Sequence, residues 1–285
     1  MNVIWAGLAL GALYSLVALG YNIVFVSSNV FNFAHAQLLM LGTFLAFFGS
    51  VTLHLPPALV FPLAGVIVAA VAVLEERFAI RTVRGTEAQL VTTLGFATLL
   101  DGLTQVIWGG EPLQVPFFGR SEVITLFGGQ VFPVELVLIG VVIVLTVLFV
   151  VISRNSMLGI AMLAVSEDRE AALMRGINVR ALAIGAFAVS GAVAGLLGPI
   201  VGPKTFAVAT LGTALALKGF VAMAIGGFGS APGALIGGLV VGLIEATTSR
   251  YLGESFATLM VFVALLVVLL VKPAGLFGHA RERMV

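Results

Sequence analysis

The sequence contains no cysteine, which excludes disulfides, thiolate metal sites and a cysteine nucleophile. Charge is almost as scarce: Asp, Glu, Lys and Arg make up 9% of the 285 residues, and the formal net charge is only +1. Soluble domains carry about 25% charged residues. So weak a positive balance offers no electrostatic basis for binding nucleic acid. The three histidines, His35, His54 and His279, share no metal-ligand spacing. There is no nucleophile elbow or paired-carboxylate pattern, and no G-x-x-x-x-G-K-[ST] loop, so nothing indicates an enzyme or a P-loop ATPase.

What the chain does have is hydrocarbon. Apolar residues account for 60% of it, and its mean hydropathy is +1.19. Soluble domains run near about 45–50% apolar, and a chain of this length has nowhere to bury the excess except a bilayer. The clearest span is "VELVLIGVVIVLTVLFVVI", residues 134–152, in which 16 of 19 residues are apolar. Comparable runs lie near 3–26, 33–50, 57–75, 89–108, 181–202, 205–224, 233–249 and 256–272. The fold class read from them is all-α, a polytopic integral membrane protein with about nine (eight to ten) transmembrane helices. Short or Gly/Pro-interrupted segments have room to be re-entrant where they pack against protein. The first run lacks the basic region and short apolar core of a cleaved leader and reads as a retained span. The whole, residues 1–285, reads as one transmembrane domain.

The basic residues are distributed unevenly. Arg77, Arg81 and Arg84 fall in the connection after the third run; Arg154, Arg169, Arg175 and Arg180 in 153–180; Lys272, Arg281 and Arg283 at the C-terminal end. The other side collects Arg120, Lys204 and Arg250. Ten against three places loops 76–88 and 153–180 and the C-terminus in the cytoplasm, the N-terminus outside, and 109–133 as the largest external loop.

Glycine is abundant, at 34 residues. Pairs spaced by four, Gly7/Gly11, Gly191/Gly195, Gly198/Gly202, Gly229/Gly233 and Gly238/Gly242, predict close helix packing in lipid. "NVFNFAHAQLLMLGTFLAFFG" and "GGFGSAPGALIGGLVVGLIEA" echo one another faintly, each setting a polar turn before a Gly-containing apolar helix.

Within this charge-poor chain, Glu167, Asp168, Arg169 and Glu170 stand in a row. Inside hydrocarbon they would cost on the order of 10 kcal/mol, so they lie in water. Good helix formers from Glu167 to Arg175, with Ser166 as N-cap and Gly176 as stop, predict a short helix outside the membrane. Ala171, Ala172, Met174 and Ile177 offer it an apolar face, and Glu167, Asp168 and Glu170 anionic contacts. Such a helix suits a groove on another protein.

This pattern, Glu170-Ala171-Ala172 followed by Gly176, resembles the EAA loop of ABC importer permeases. "LGALYSLVALGYNIVFVSSNVFNFAHAQLLMLG", "EERFAIRTVRG", "SEDREAALMRGIN" and "KGFVAMAIGGFGSAPGALIGG" are similar, in order and over nearly the whole chain, to the permease of branched-chain amino acid ABC importers. That family reads close to N-F-A-H-G-x-x-x-M-x-G in the second stretch. Asn32, Phe33, Ala34, His35, Met40 and Gly42 match, and Ala36 replaces a glycine. The resemblance implies a multi-pass protein of the bacterial inner membrane, partnered by a second permease, two ATPase subunits and a periplasmic binding protein. It implies no cofactor in this chain, with ATP and Mg held by the ATPases. Ser166, Glu167, Asp168, Glu170, Ala171, Ala172, Arg175 and Gly176 would then form the ATPase-coupling helix.

Asn32, His35, Thr92, Thr93 and Gln105 are candidates to line a translocation path, although packing and backbone hydrogen bonding are the simpler roles for them. Asp101 and Glu245 are acids toward the outer ends of their spans, with Lys218 a partner for either. They support a rival reading, an ion-coupled secondary transporter. A passive channel for a small neutral solute such as urea or an amide is a second rival.

Overall fold

In hydrocarbon a backbone must satisfy its own hydrogen bonds, so each long apolar run folds as a helix. The computed structural model describes residues 1–83, 85–119 and 122–278. Arg84, Arg120, His279, Arg281 and Arg283 lie outside the described residues. In order, the helices are α1 (Asn2–Ser28), α2 (His35–Phe47), α3 (Pro57–Glu75), α4 (Thr86–Trp108), α5 (Pro133–Asn155), α6 (Met157–Glu167), α7 (Arg169–Met174), α8 (Val179–Thr205), α9 (Leu211–Gly226), α10 (Ala231–Tyr251) and α11 (Glu254–Val271). Single π-helical turns, Phe48–Thr52 and Glu76–Ile80, prolong α2 and α3. A hairpin of β1 (Ile124–Leu126) and β2 (Gly129–Val131) precedes α5.

Among the described residues eight helices are long and apolar enough to cross a membrane. α9 is apolar but has 16 residues, about 24 Å at 1.5 Å per residue. With α9 the count is nine. The run expected at 205–224 shifts C-terminally, because α8 continues through Pro199 and Pro203 to Thr205 and stops where Phe206 adopts φ +60°. Two elements were not anticipated. α6 is a second helix inside the 153–180 connection, and its 11 residues are too few to span. The hairpin lies in the segment expected to be a loop; its turn residues Phe127 and Gly128 both have positive φ, as a tight two-residue turn between twisted strands requires.

The chain divides into two compact units. The first comprises Met1–Asn22, Val123–Val150 and Leu217–Val285; the second, Ile23–Glu122 and Val151–Ala216.

In the second unit α8 packs against α2 and α3. Glycine sets the spacing. A Cβ on Gly191 would lie 2.8 Å from the Val68 carbonyl oxygen, and one on Gly42 2.9 Å from that of Ala194. Helix backbones this close gain dispersion contact that lipid cannot supply. Ala36 sits in the first turn of α2, where the backbone is helical and nothing calls for the glycine of the family pattern. Leu113 and Ala207 exchange backbone hydrogen bonds of 2.9 Å in both directions, tying the connection after α4 to the one after α8.

In the first unit α1 and α10 meet glycine to glycine. A Cβ on Gly11 would come 2.7 Å from Leu239 Cα, one on Gly7 3.0 Å from Leu243 Cα, and Gly242 abuts Gly7 and Gly11 in return. Asn22, fully buried, clasps the turn before α10: Gly229 N–H donates to its Oδ1 at 2.9 Å and its Nδ2 donates to the Ser230 carbonyl at 3.1 Å. Asn2 Oδ1 accepts from Gln130 N–H at 3.0 Å, which pins the hairpin to the start of α1. α11 packs along α10.

Candidate functional site: a capped helix outside the spans

The charged stretch forms α7, six residues long. Its N-cap is Asp168, not Ser166. Asp168 Oδ1 accepts from the backbone N–H groups of Glu170 (2.9 Å) and Ala171 (3.0 Å), and a carboxylate suits a helix N-terminus better than a hydroxyl does. Ser166 falls in the last turn of α6 and donates to the Leu163 carbonyl at 2.7 Å, while Glu167 is the last residue of α6. The expected start at Glu167 is therefore two residues early.

The C-terminal stop is as expected. Gly176 has φ +82°. Its N–H donates to the Leu173 carbonyl at 3.0 Å, and Ile177 N–H donates to the Ala172 carbonyl at 3.1 Å. These are the two bonds of a Schellman motif, completed by contact between residues at the Ala172 and Ile177 positions. Ala172, 4% exposed, joins Val165, Val179 and Leu182 in a small apolar cluster that Ile177 and Met162 cover. Asn178 then caps α8, its Oδ1 accepting from Ala181 N–H at 3.0 Å. α7 is thus fixed at both ends and along one side.

That arrangement decides which residues face outward. Ala172 and Ile177, expected on a docking face, point inward. The outward apolar residues are Met174 (89% exposed), Leu173 (53%) and Ala171. Leu173 was missed; in a helix stopped at Gly176 it is the neighbour of Met174, a signal available from the sequence. Glu167, Asp168, Arg169, Glu170 and Arg175 are all exposed around them.

Of the polar candidates, Asn32 and His35 meet through a backbone hydrogen bond, His35 N–H donating to the Asn32 carbonyl at 3.3 Å. Asn32 is buried, and its Nδ2 donates to Glu75 Oε2 at 3.1 Å. His35 is buried with Nδ1 2.9 Å from Ser190 Oγ. Thr93 is buried and donates to the Leu90 carbonyl at 2.9 Å; Thr92 donates to the Ala79 carbonyl at 2.5 Å. Gln105 is exposed. Asp101 Oδ2 accepts from Thr213 at 3.0 Å. Lys218 pairs with Glu245 rather than Asp101, and Tyr14 Oη donates to Glu245 Oε2 at 2.7 Å. Lys218 Nζ also lies 3.3 Å from Tyr14 Oη. Lys218 and Glu245 edge a cavity of about 1140 Å³ within the first unit, and Tyr14, absent from the sequence reading, is buried beside them. Among the described residues no group of three or more His, Cys, Asp or Glu could hold a metal.

Among the described residues, eight apolar helices of spanning length with the shorter α9, glycine-mediated packing and a capped helix outside the spans define a multi-pass membrane protein. The family model described as branched-chain amino acid transport system / permease component matches residues 3–271, and the chain belongs to that family. It is 30% identical to the high-affinity branched-chain amino acid transport system permease protein LivH of Escherichia coli K12, covering 96% of this chain and 94% of that one. It is 29% identical to the corresponding protein BraD of Pseudomonas aeruginosa, over 96% and 94%. Among solved structures, PsaBC from Streptococcus pneumoniae in complex with Fab superposes with a TM-score of 0.52 over 96% of this chain and 93% of that one, at 12% identity. That likeness shows a shared fold. LivH and BraD are transport system permeases, which favours neither the ion-coupled carrier nor the passive channel.

Proposed function

We propose that this chain is the membrane permease subunit of an ATP-driven importer of branched-chain or other apolar amino acids. It forms half of the translocation pathway, beside a second, homologous permease. Two ATPase subunits on the cytoplasmic face bind ATP and Mg; this chain holds no cofactor of its own. A periplasmic binding protein delivers the solute. The 1–285 chain acts as one domain of the bacterial inner membrane, with its C-terminus and the 76–88 and 153–180 connections in the cytoplasm.

The observation that carries this reading is α7. A six-residue helix in water is far below the length that is stable alone. Here Asp168, the Schellman stop at Gly176 and the Ala172 cluster hold it rigid, with Leu173, Met174 and Glu170 outward. A rigid, mixed apolar and anionic knob suits a groove on a nucleotide-binding partner. Because Val179 and Leu182 belong to the same cluster, a push on α7 is delivered directly to the start of α8.

The test is a detergent pull-down of the chain with its co-expressed partners, followed by uptake in proteoliposomes. Two ATPases and a second permease should copurify. Gly176→Asp and Glu170→Lys should leave membrane insertion intact and lower ATP-dependent leucine uptake at least tenfold. Wild-type uptake in both variants would overturn α7 as the coupling element, and recovery of this chain alone with ATP-independent uptake would overturn the importer.

A further inference from the structure

The Lys218–Glu245 pair is a costly device for a membrane helix. On the insertion scale a charge costs about 2.5–3.5 kcal/mol at the middle of a span and less toward its ends. A pair whose only duty is to hold helices together is replaceable by apolar side chains at little or no loss. Ionisable residues within spans accordingly face interiors or water-filled cavities, where they meet solutes.

This pair is not sealed. The Lys218 and Glu245 side chains are 24% and 14% exposed, and both belong to the lining of the cavity of about 1140 Å³, ample for a small solute given that ligand pockets run about 300–1,000 Å³. Around them the wall is mixed: Ala6, Leu10 and Ala257 are small or apolar, while Ser249, Arg250 and Glu254 are polar. The cavity is lined also by Met1 and Gly128, from the segments assigned to the outer side. Tyr14 also holds Glu245: its hydroxyl donates to Oε2, while Lys218 donates to Oε1. If Lys218 swings away, the carboxylate keeps a donor. A cation and an anion side by side at the edge of such a cavity match one class of small molecule, an amino acid in its zwitterionic form, with the alanine and leucine part of the wall left for its side chain.

We infer that Lys218, Glu245 and Tyr14 form an intramembrane station for the transported amino acid. Lys218 turns to the α-carboxylate, Glu245 takes the α-ammonium, and the side chain lies against the alanine and leucine wall. One ion pair is exchanged for two, so no charge is left unpaired at any stage. This rests on the importer reading above and adds to it the residues that recognise the backbone of the solute inside the permease.

The decisive variant is the neutral double substitution Lys218→Met/Glu245→Gln, because either single substitution strands a charge and invites misfolding. It should melt with the wild type in detergent, which shows that the fold is kept. ATP-dependent uptake of radiolabelled L-leucine into proteoliposomes should fall at least tenfold, and equilibrium binding of L-leucine to the full chain in nanodiscs should weaken at least tenfold. A pair with a purely structural role would change neither. Wild-type uptake and binding in the double variant, or no binding to the wild-type chain at millimolar leucine, would overturn the station while leaving the importer standing. Failure of the wild-type complex to take up leucine would instead overturn the importer, and the station with it.

Discussion

Asp168 and Ser166 stand two residues apart and have opposite fates, which makes them a clean pair for substitution. Asp168 satisfies two backbone N–H groups of α7; Ser166 returns a bond to its own helix. Asp168→Ala should cost α7 about 1 kcal/mol, the usual value of a lost N-cap. Hydrogen exchange at the Glu170 and Ala171 amides should speed up several-fold, whereas Ser166→Ala should leave both unchanged. Equal protection in the two variants would show that the cap is not what holds α7. Residues 156–178 hold four cap-competent side chains, Ser156, Ser166, Asp168 and Asn178, so local propensity alone does not choose among them. The choice is made by α6, which runs on to Glu167 and leaves Asp168 the first residue with extended backbone (φ −149°, ψ 107°).

At the scale of elements, the long apolar runs were legible because the penalty for burying charge in lipid leaves few alternatives. Span boundaries were less so: α8 carries two prolines to its end, and α9 begins six residues later than expected. α6 was invisible to a search for spans, being apolar but 11 residues long; its signal was Ser156, whose Oγ accepts from Gly159 N–H at 2.9 Å. The glycine pairs announced close packing without naming partners. Only the structure shows Gly7/Gly11 meeting Gly238/Gly242, and Gly42 meeting α8. The difference between packed and unpacked glycines is testable. Gly42→Leu drives a side chain into the α8 backbone and should destabilise by about 1–3 kcal/mol, the range for overpacking, seen as a lower melting temperature in detergent. Gly140→Leu, on α5, meets nothing within 4 Å and should melt with the wild type. Equal melting of the two variants would mean that α2 and α8 do not depend on this approach.

For the whole molecule, the lack of cysteine becomes an advantage: single cysteines can be introduced without removing any. Met174 and Phe127 are 89% and 82% exposed and are assigned to opposite sides of the membrane. Met174→Cys should react with an impermeant maleimide only in inverted vesicles, and Phe127→Cys only in right-side-out ones. Labelling of both from the same side would overturn the proposed orientation.

The burial of the spans carries one more consequence. Of the most apolar window of α11 only 11% is buried, and of α5 17%, against 67% for α1. The most hydrophobic helices are thus the least enclosed, the reverse of a water-soluble core. Lipid tails welcome leucine as readily as another leucine does, so greasiness can direct a segment into the bilayer but cannot tell it where to settle. Insertion and assembly are therefore written in different alphabets: long aliphatic side chains address the membrane, while the glycine columns and a few buried amides and hydroxyls such as Asn22 and Ser190 address the neighbouring helix. The two sets of residues overlap little, so the chain can lose its grip on itself while remaining fully inserted.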